Sequence, residues 1–394
     1  MSCVEQPVSC LFFALSAALN YTVYGGDAQD AFAHSPAPKV PTFVQINDAF
    51  AEWYKSCFQL TLDHRQVLPV QHALQGHPEA ARHWEEHILT ILKAIGFTST
   101  THERNIYSAT FGNHKILLLR QVDDFALSTP DPAIAARIYT NIGRQLQLPG
   151  ENTPPFEQQG IISSFNGVNI LQTRHYTKIS CPSYIHRMLA AHHWATPSLA
   201  EPKPGSCLSE PLSPSIIHEL YNSIGPLEGS PEHATLAQEM GFAYQTLLGE
   251  LLYAYVTARP DIGYAITTLA KFAAAPAKLH TMHASRALLS TYVKQLNGVL
   301  FFGVPSHNPP CRISPLILLN QTPLFHWFLK LTTTFSSMAT WRLHTPMISA
   351  SRSTTGYAFL HSGGGVAYRS KTQSLTATSS TKAEFIAALF PPAK

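Results

Sequence analysis

The feature that most constrains this chain is a pair of apolar runs joined through acid. Residues 116–119 (Ile-Leu-Leu-Leu) lead into Gln121, Val122, Asp123 and Asp124, and Phe125, Ala126 and Leu127 follow at once. The pattern reads as buried strand, two-acid turn, strand. Adjacent carboxylates at a tight turn repel each other and are costly unless water or cations neutralise them. A hard divalent cation such as Mg²⁺ prefers carboxylate oxygens. Two such ions can clamp the attacking and leaving oxygens of a phosphoryl transfer. That chemistry needs a third carboxylate from elsewhere. Asp27 is the candidate, because it follows a short strand at 21–26 (Tyr-Thr-Val-Tyr-Gly-Gly) that ends in a glycine turn. An isolated Asp-Asp pair is usually a solvated turn, but with Asp27 in a matching setting the catalytic reading is the better one.

The rest of the chain alternates element types. Residues 45–58 have helical spacing through Ile46, Phe50, Trp53 and Tyr54, and 79–95 form a stronger helix opening after Pro78. A helix is expected at 133–146, a hairpin at 165–180, mostly helix over 241–297, and two strands around Gly363, Gly364 and Gly365. Residues 10–19 make an amphipathic helix with Leu11, Phe12, Leu15, Ala18 and Leu19 on one side. Glu5 precedes that stretch, and no Lys or Arg does, so it is a poor signal peptide. No apolar run has membrane-span length, so no membrane partner is expected. Residues 200–235, rich in Pro, Ser, Gly and Glu, read as a linker. Residues 304–350 are rich in Pro, His, Leu and Thr, hold no acid and show no period.

The net charge of +3 hides an asymmetry. Residues 1–261 carry −8, and residues 262–394 carry +11 with Glu384 as their single acid. The split suits an acidic catalytic part followed by a basic part for a polyanion, and chance composition in a decayed sequence explains it equally well. Cys3, Cys10, Cys57, Cys181, Cys207 and Cys311 form no CxxC pair, which argues against a zinc ribbon and for a reducing compartment. His83 and His87 are four apart, but Trp84 stands where a zinc protease motif needs Glu, so groove or surface histidines are the better reading. No G-x-S-x-G supports a serine hydrolase.

Five blocks, in order, resemble one family. Gly25-Gly26-Asp27-Ala28-Gln29-Asp30-Ala31-Phe32 resembles the first catalytic motif of reverse transcriptases. Gln121-Val122-Asp123-Asp124 resembles their Tyr-x-Asp-Asp motif, with Gln for Tyr. Between them, the segment from Ala73 through Gly76, Pro78, Glu79 and Arg82 to Trp84 resembles Leu-Tyr-Gly-Leu-Lys-Gln-x-x-Arg-x-Trp. The stretches 248–253 and 257–262 resemble the block that follows the polymerase in copia-type LTR retrotransposons, and 352–357 with 377–385 resemble the start of that family's RNase H domain. The chain is thus similar to a copia-type reverse transcriptase with a truncated RNase H segment.

The resemblance implies an α+β fold: a palm of antiparallel sheet with helices over 1–195, a linker over 196–240, a helical thumb or connection over 241–303, an irregular stretch over 304–350, and a partial RNase H-like α/β segment over 351–394. It implies Asp27, Asp123 and Asp124 as catalytic Mg²⁺ (or Mn²⁺) ligands. Phe32 would stack under the nucleotide sugar, a role compatible with a core aromatic. Ala28, Gly76, Arg82 and Gln121 would lie near nucleotide or template. Phe165-Asn166-Gly167-Val168 resembles the hairpin that grips the primer, and a plain structural hairpin fits it nearly as well. An RNA template, a DNA primer and deoxynucleoside triphosphates would be the partners, in the cytoplasm or virus-like particles.

Departures qualify this. Pro78 and Glu79 replace Lys and Gln, so a cation is lost and an anion gained beside a triphosphate, which weakens nucleotide binding. The basic fingers segment expected before the first motif has no counterpart, and its cationic clamp is expected to be missing. In the RNase H part only Glu384 matches a catalytic acid, and one carboxylate cannot hold two cations, so no RNase H activity is expected. A frame shift or mis-splicing would account for 304–350. The leading expectation is an RNA-directed DNA polymerase fragment. The alternatives are a catalytically silent remnant that binds nucleic acid through its basic part, and an unstable pseudogene product.

Overall fold

The computed structural model describes residues 4–38, 40–63, 67–150, 152–194, 212, 216–293, 300–304 and 354–373. It is a mixed α/β structure of antiparallel sheets and helices, grouped into two compact units. One unit comprises Met1–Val4 and Tyr21–Ile162; the other comprises Glu5–Asn20 and Ser163–Lys394. Strands and helices are numbered along the chain. No helix among the described residues is long and apolar enough to cross a membrane.

The first unit is built on a six-stranded antiparallel sheet. Its strands are β1 (Thr22–Ala28), β4 (Thr98–Ser99), β5 (Ile106–Phe111), β6 (His114–Gln121), β7 (Asp124–Thr129) and β8 (Phe156–Ile161), in the order β4-β5-β6-β7-β1-β8. Helices α3 (Ala80–Ile95) and α4 (Pro132–Leu146) supply the core that packs on it. Period-two alternation on β6 sends Ile116 and Leu118 toward Trp84, Ile88 and Leu92 of α3. Both helices have chemical boundaries. The side chain of Asp131 accepts from the Ala133 amide at 2.8 Å, with Pro132 in the first helical turn. Helix α3 ends at Gly96, whose φ of +104° lets the Phe97 amide reach back to the Leu92 carbonyl at 2.9 Å.

Sequence reading and structure differ at β1. Gly25 and Gly26 do not close a turn; the strand runs through both to Ala28. A Cβ at Gly26 would stand 2.6 Å from the Phe156 ring and 3.0 Å from Tyr139. Gly26 is there because rings from β8 and α4 lie against the strand, whereas a Cβ at Gly25 would meet the Gln159 and Ile162 side chains; the Tyr139 hydroxyl donates to the Tyr24 carbonyl at 2.7 Å. The helix expected over 45–58 is also divided. A short hairpin of β2 (Phe43–Gln45) and β3 (Val67–Pro69) flanks α2 (Asp48–Phe58), capped by the Asn47 side chain. Ile46 is buried before the helix begins, and α2 itself buries no residue.

The second unit holds α1 (Gln6–Ala18) and a sheet ordered β12-β11-β10-β9, made of β9 (Ser164–Phe165), β10 (Val168–Gln172), β11 (Tyr176–Ser180) and β12 (Leu300–Gly303). The β9–β10 turn at Asn166 and Gly167 has positive φ at both residues, the geometry of a two-residue hairpin. Helices α5 (Pro182–Ala191), α8 (Tyr244–Thr257), α9 (Gly263–Leu269) and α10 (Lys278–Val293) share a core around Leu247, Leu251, Ile262 and Ile266. Within 196–240, the stretch read as linker, lie α6 (Ile217–Asn222) and α7 (Pro231–Met240), the latter capped by Ser230. The last described element is the hairpin of β13 (Thr354–His361) and β14 (Gly364–Thr372).

The buried face of α1 differs from the one expected. Ser9, Cys10, Phe12, Phe13, Ala14, Ser16 and Ala17 are buried, while Leu11 and Leu19 are exposed. The helix packs on β12 and β14, partners far away in sequence, and they select its inner face. Glu384 and residues 305–353 lie outside the described residues.

Candidate active site

The two acid-bearing segments meet at one end of the large sheet. Strand β1 pairs antiparallel with β7 in a register that sets Asp27 opposite Asp124. Strands β6 and β7 form a hairpin in which Gln121 pairs with Asp124, leaving Val122 and Asp123 as its two-residue turn. The Ala28 amide donates to the Asp123 carbonyl at 2.9 Å, so the turn is tied to β1 by backbone. The structure therefore brings Asp27, Asp123 and Asp124 together, with Ala28 and Gln121 beside them.

Their electrostatics fit crowding. Asp124 is pushed up to about 6, first by burial and then by Asp123 and Asp27. Asp27 is also raised, chiefly by burial, then by Asp123 and Glu157. Glu157, the β8 partner of Asp27, carries no motif signal in the sequence, and Gln29 stands in the first motif block with no role implied there. The Gln29 amide nitrogen donates to Asp27 Oδ2 and lies 3.3 Å from Glu157 Oε2. Such hard oxygen donors suit Mg²⁺ or Mn²⁺ in kind. Among the described residues, however, no three His, Cys, Asp or Glu side chains already converge as a metal site.

The turn is strained. Val122 has a φ of +59°, a region that β-branched side chains rarely enter and where a turn of this class favours Gly at its first central position. The cost is about 1–3 kcal/mol, so surrounding contacts must hold the conformation. They are present: Trp84 Nε1 and Arg120 Nη1 each donate to the Val122 carbonyl at 2.8 Å. Arg120 is buried, and its Nη2 is 2.5 Å from Glu85 Oε2. Trp84 is legible in the sequence as part of a motif, whereas the signal at Arg120 is only a cation at the end of an apolar run.

The other expected residues, and the Gln121 side chain, are engaged in contacts of their own. Phe32 is half-buried and packs against the hydrophobic core. Gly76, with φ +92°, occupies a turn closed by the His77 amide on the Leu74 carbonyl at 3.0 Å, which explains its glycine. Arg82 is held by Glu79 of its own helix turn at 2.5 Å. Gln121 Oε1 accepts from the Val4 amide at 2.5 Å, so it secures the chain rather than facing outward. Among the described residues, none of Phe32, Gly76 or Arg82 is hydrogen-bonded or ion-paired to the three carboxylates.

The acids thus stand at adjacent strand ends of an antiparallel sheet, and sequence comparison supplies the family. Residues 4–197 match the family described as reverse transcriptase (RNA-dependent DNA polymerase). This chain carries a reverse transcriptase domain of the retrotransposon type. It is 24% identical over 381 residues to the retrovirus-related Pol polyprotein from transposon TNT 1-94 of Nicotiana tabacum, covering 95% of this chain and 24% of that protein. It is 26% identical over 220 residues to a putative transposon Ty5-1 protein of Saccharomyces cerevisiae, covering 56% of this chain and 62% of that protein. Identity to the retrovirus-related Pol polyprotein from transposon RE1 of Arabidopsis thaliana is 24% over 222 residues, 56% of this chain and 13% of the other. The matches therefore span under two thirds of each of these relatives.

Proposed function

We propose that the chain is the polymerase part of a copia-type Pol polyprotein, acting as an RNA-directed DNA polymerase on an RNA template, a DNA primer and deoxynucleoside triphosphates. The observation that carries this is the register that sets Asp27 against Asp124 beside the Asp123 turn. In this reading the six-stranded sheet with α3 and α4 is the palm, the helices over 241–293 belong to the thumb or connection, and β13–β14 opens an RNase H-like segment. The β9–β10 hairpin would grip the primer end.

Asp27 and Asp123 would hold Mg²⁺ or Mn²⁺, with Asp124 beside them. When bound, such ions would activate the primer 3′-hydroxyl and neutralise charge on the α-phosphate and leaving pyrophosphate. Gln29 orients the Asp27 carboxylate and shares itself with Glu157, so Asp27 keeps a fixed direction between two like charges. Phe32 would back the nucleotide sugar from its core-packed position. Arg82 would reach a phosphate only after leaving Glu79, which makes nucleotide capture the weak step. We extend the same reading to the RNase H-like segment: residues 262–383 hold no Asp or Glu, so this stretch supplies no carboxylate for two-metal chemistry.

Primer extension on an RNA template with Mg²⁺ or Mn²⁺ tests the proposal. Wild type should extend, and Asp123→Asn should lose about 100-fold or more in rate, as expected when a group that stabilises transition-state charge is removed. No extension by wild type, or equal extension by the variant, rejects the polymerase reading. The Glu79–Arg82 pair favours a second reading, a catalytically silent nucleic-acid binder, because it occupies the motif's cation. For that reading, binding should persist without extension and weaken steeply as salt rises.

A further inference from the structure

The strained turn is held at a single atom. The Val122 carbonyl accepts two donors, Trp84 Nε1 from α3 and Arg120 Nη1 from β6, both at 2.8 Å. A carbonyl oxygen has two lone pairs, so both are used. Neither donor is a surface side chain: Trp84 is fully buried and Arg120 is 1% exposed. Burying a guanidinium is costly unless it is paired, and Glu85, next to Trp84 on α3, provides the partner. The Arg120 amide is also anchored, donating to the Asn105 carbonyl at 3.0 Å. A plain strand would place an apolar residue at 120, continuing Ile116 and Leu118 on the inward face. The chain instead places a charge under the helix and aims it at the residue with positive φ that precedes Asp123.

We propose that Trp84 and Arg120 are positioning residues that jointly clamp the Val122 carbonyl and so hold Asp123 and Asp124 in working register, with Glu85 fixing the Arg120 fork. The proposal rests on the polymerase reading only for its kinetic consequence. The clamp acts on the peptide of the turn: its carbonyl is pinned toward α3, so the following Asp123 backbone keeps the direction in which its carbonyl meets the Ala28 amide. Without the clamp, Val122 relaxes toward negative φ and the carboxylates lose their common direction. Glu85 contributes at one remove, because the Arg120 Nη2 that it holds does not touch the turn.

The Ala28 amide, bonded to the Asp123 carbonyl, reports the turn directly. Hydrogen exchange at Ala28 should quicken about tenfold or more in Trp84→Phe, which removes only the donor, and in Arg120→Met. In the double variant the effect should depart from the product of the single effects by at least about threefold, because both donors act on one acceptor. In single-nucleotide extension the same variants should lower kcat about tenfold or more while KM for the nucleotide stays within about twofold. Arg120→Lys, which retains a donor, should restore part of the loss. Ile142→Ala, a cavity in α4, is the control for general destabilisation: it should lower the melting temperature without changing the ratio of Ala28 exchange to that of the other sheet amides. If wild type does not extend primers, the polymerase reading fails, and the Ala28 result alone still decides the clamp. Unchanged Ala28 exchange in Trp84→Phe and Arg120→Met overturns the clamp. Unchanged kcat in an extending enzyme overturns the positioning role.

Discussion

Replacing Asp124 with asparagine should stabilise the metal-free protein at alkaline pH, although the residue belongs to the candidate active site. Asp124 faces Asp27 across the β1–β7 register and follows Asp123 in the chain. Its carboxyl is pushed from the ordinary 3.8 up to about 6, by burial first and then by Asp123 and Asp27. Between those two values the folded protein binds more protons than the unfolded chain, so stability falls as pH rises through the window. The favourable contribution is complete below 3.8 and is lost once pH passes about 6. The full shift corresponds to about 3 kcal/mol. Asp124 is only half-buried, and solvent screening reduces this to about 1 kcal/mol. An asparagine side chain at this position carries no charge and escapes the penalty, so at about pH 8 with a chelator Asp124→Asn should gain ~1 kcal/mol. Urea unfolding followed by circular dichroism measures it. The gain should shrink toward zero as pH is lowered toward 3.8, and Mg²⁺ should stabilise wild type more than the variant. A variant no more stable than wild type at alkaline pH, or a gain independent of pH, would refute the argument.

Two further outcomes follow from side chains near the site. Gly26→Ala places a methyl 2.6 Å from the Phe156 ring and should cost about 2–3 kcal/mol in urea unfolding, partly recovered by Phe156→Leu; an unchanged midpoint would mean that the rings do not fix β1. Glu79→Gln frees Arg82 from its exposed pair, so stability should change by no more than about 0.5 kcal/mol, while KM for the nucleotide in primer extension should fall several-fold at constant kcat. A KM that stays or rises would show that Glu79 does not weaken nucleotide capture.

The legible parts of this fold are those that local chemistry dictates. The β6–β7 hairpin follows from two apolar runs around two acids, and α3 and α4 follow from helical spacing with Gly96 and Asp131 at their limits. What stayed hidden depends on partners distant in sequence. Gly25 and Gly26 look like a turn because their reason, the Gln159 and Ile162 side chains at Gly25 and the Phe156 and Tyr139 rings at Gly26, lies more than a hundred residues away. The inner face of α1 is set by β12 and β14, which no window around residues 6–18 contains. At the site the acids were visible because charge in an apolar setting stands out. The hydrogen bonds of Trp84 and Arg120 were not, because bonds to a backbone carbonyl leave no pattern in side-chain identities.

The departures from the family pattern are not spread evenly over the site. On the carboxylate side Asp27, Asp123 and Asp124 share one register, a residue with positive φ is held in place by two buried donors, and Gly26 admits the rings behind β1. Each of these features costs stability taken alone: strain at Val122, repulsion among the acids, a buried guanidinium. A turn that only joined two strands would need none of them; Gly at 122 and a neutral residue at 124 would be more stable. At Arg82, proposed above to face the nucleotide, the reverse holds, since Glu79 pairs with it in an exposed contact that contributes little to folding. Costly features thus concentrate around the three carboxylates, whereas the departure at Glu79 and Arg82 costs the fold little. If the polymerase proposal holds, its activity should be limited by nucleotide affinity, and saturation kinetics over nucleotide concentration distinguishes that outcome from a silent fold, in which no concentration restores turnover.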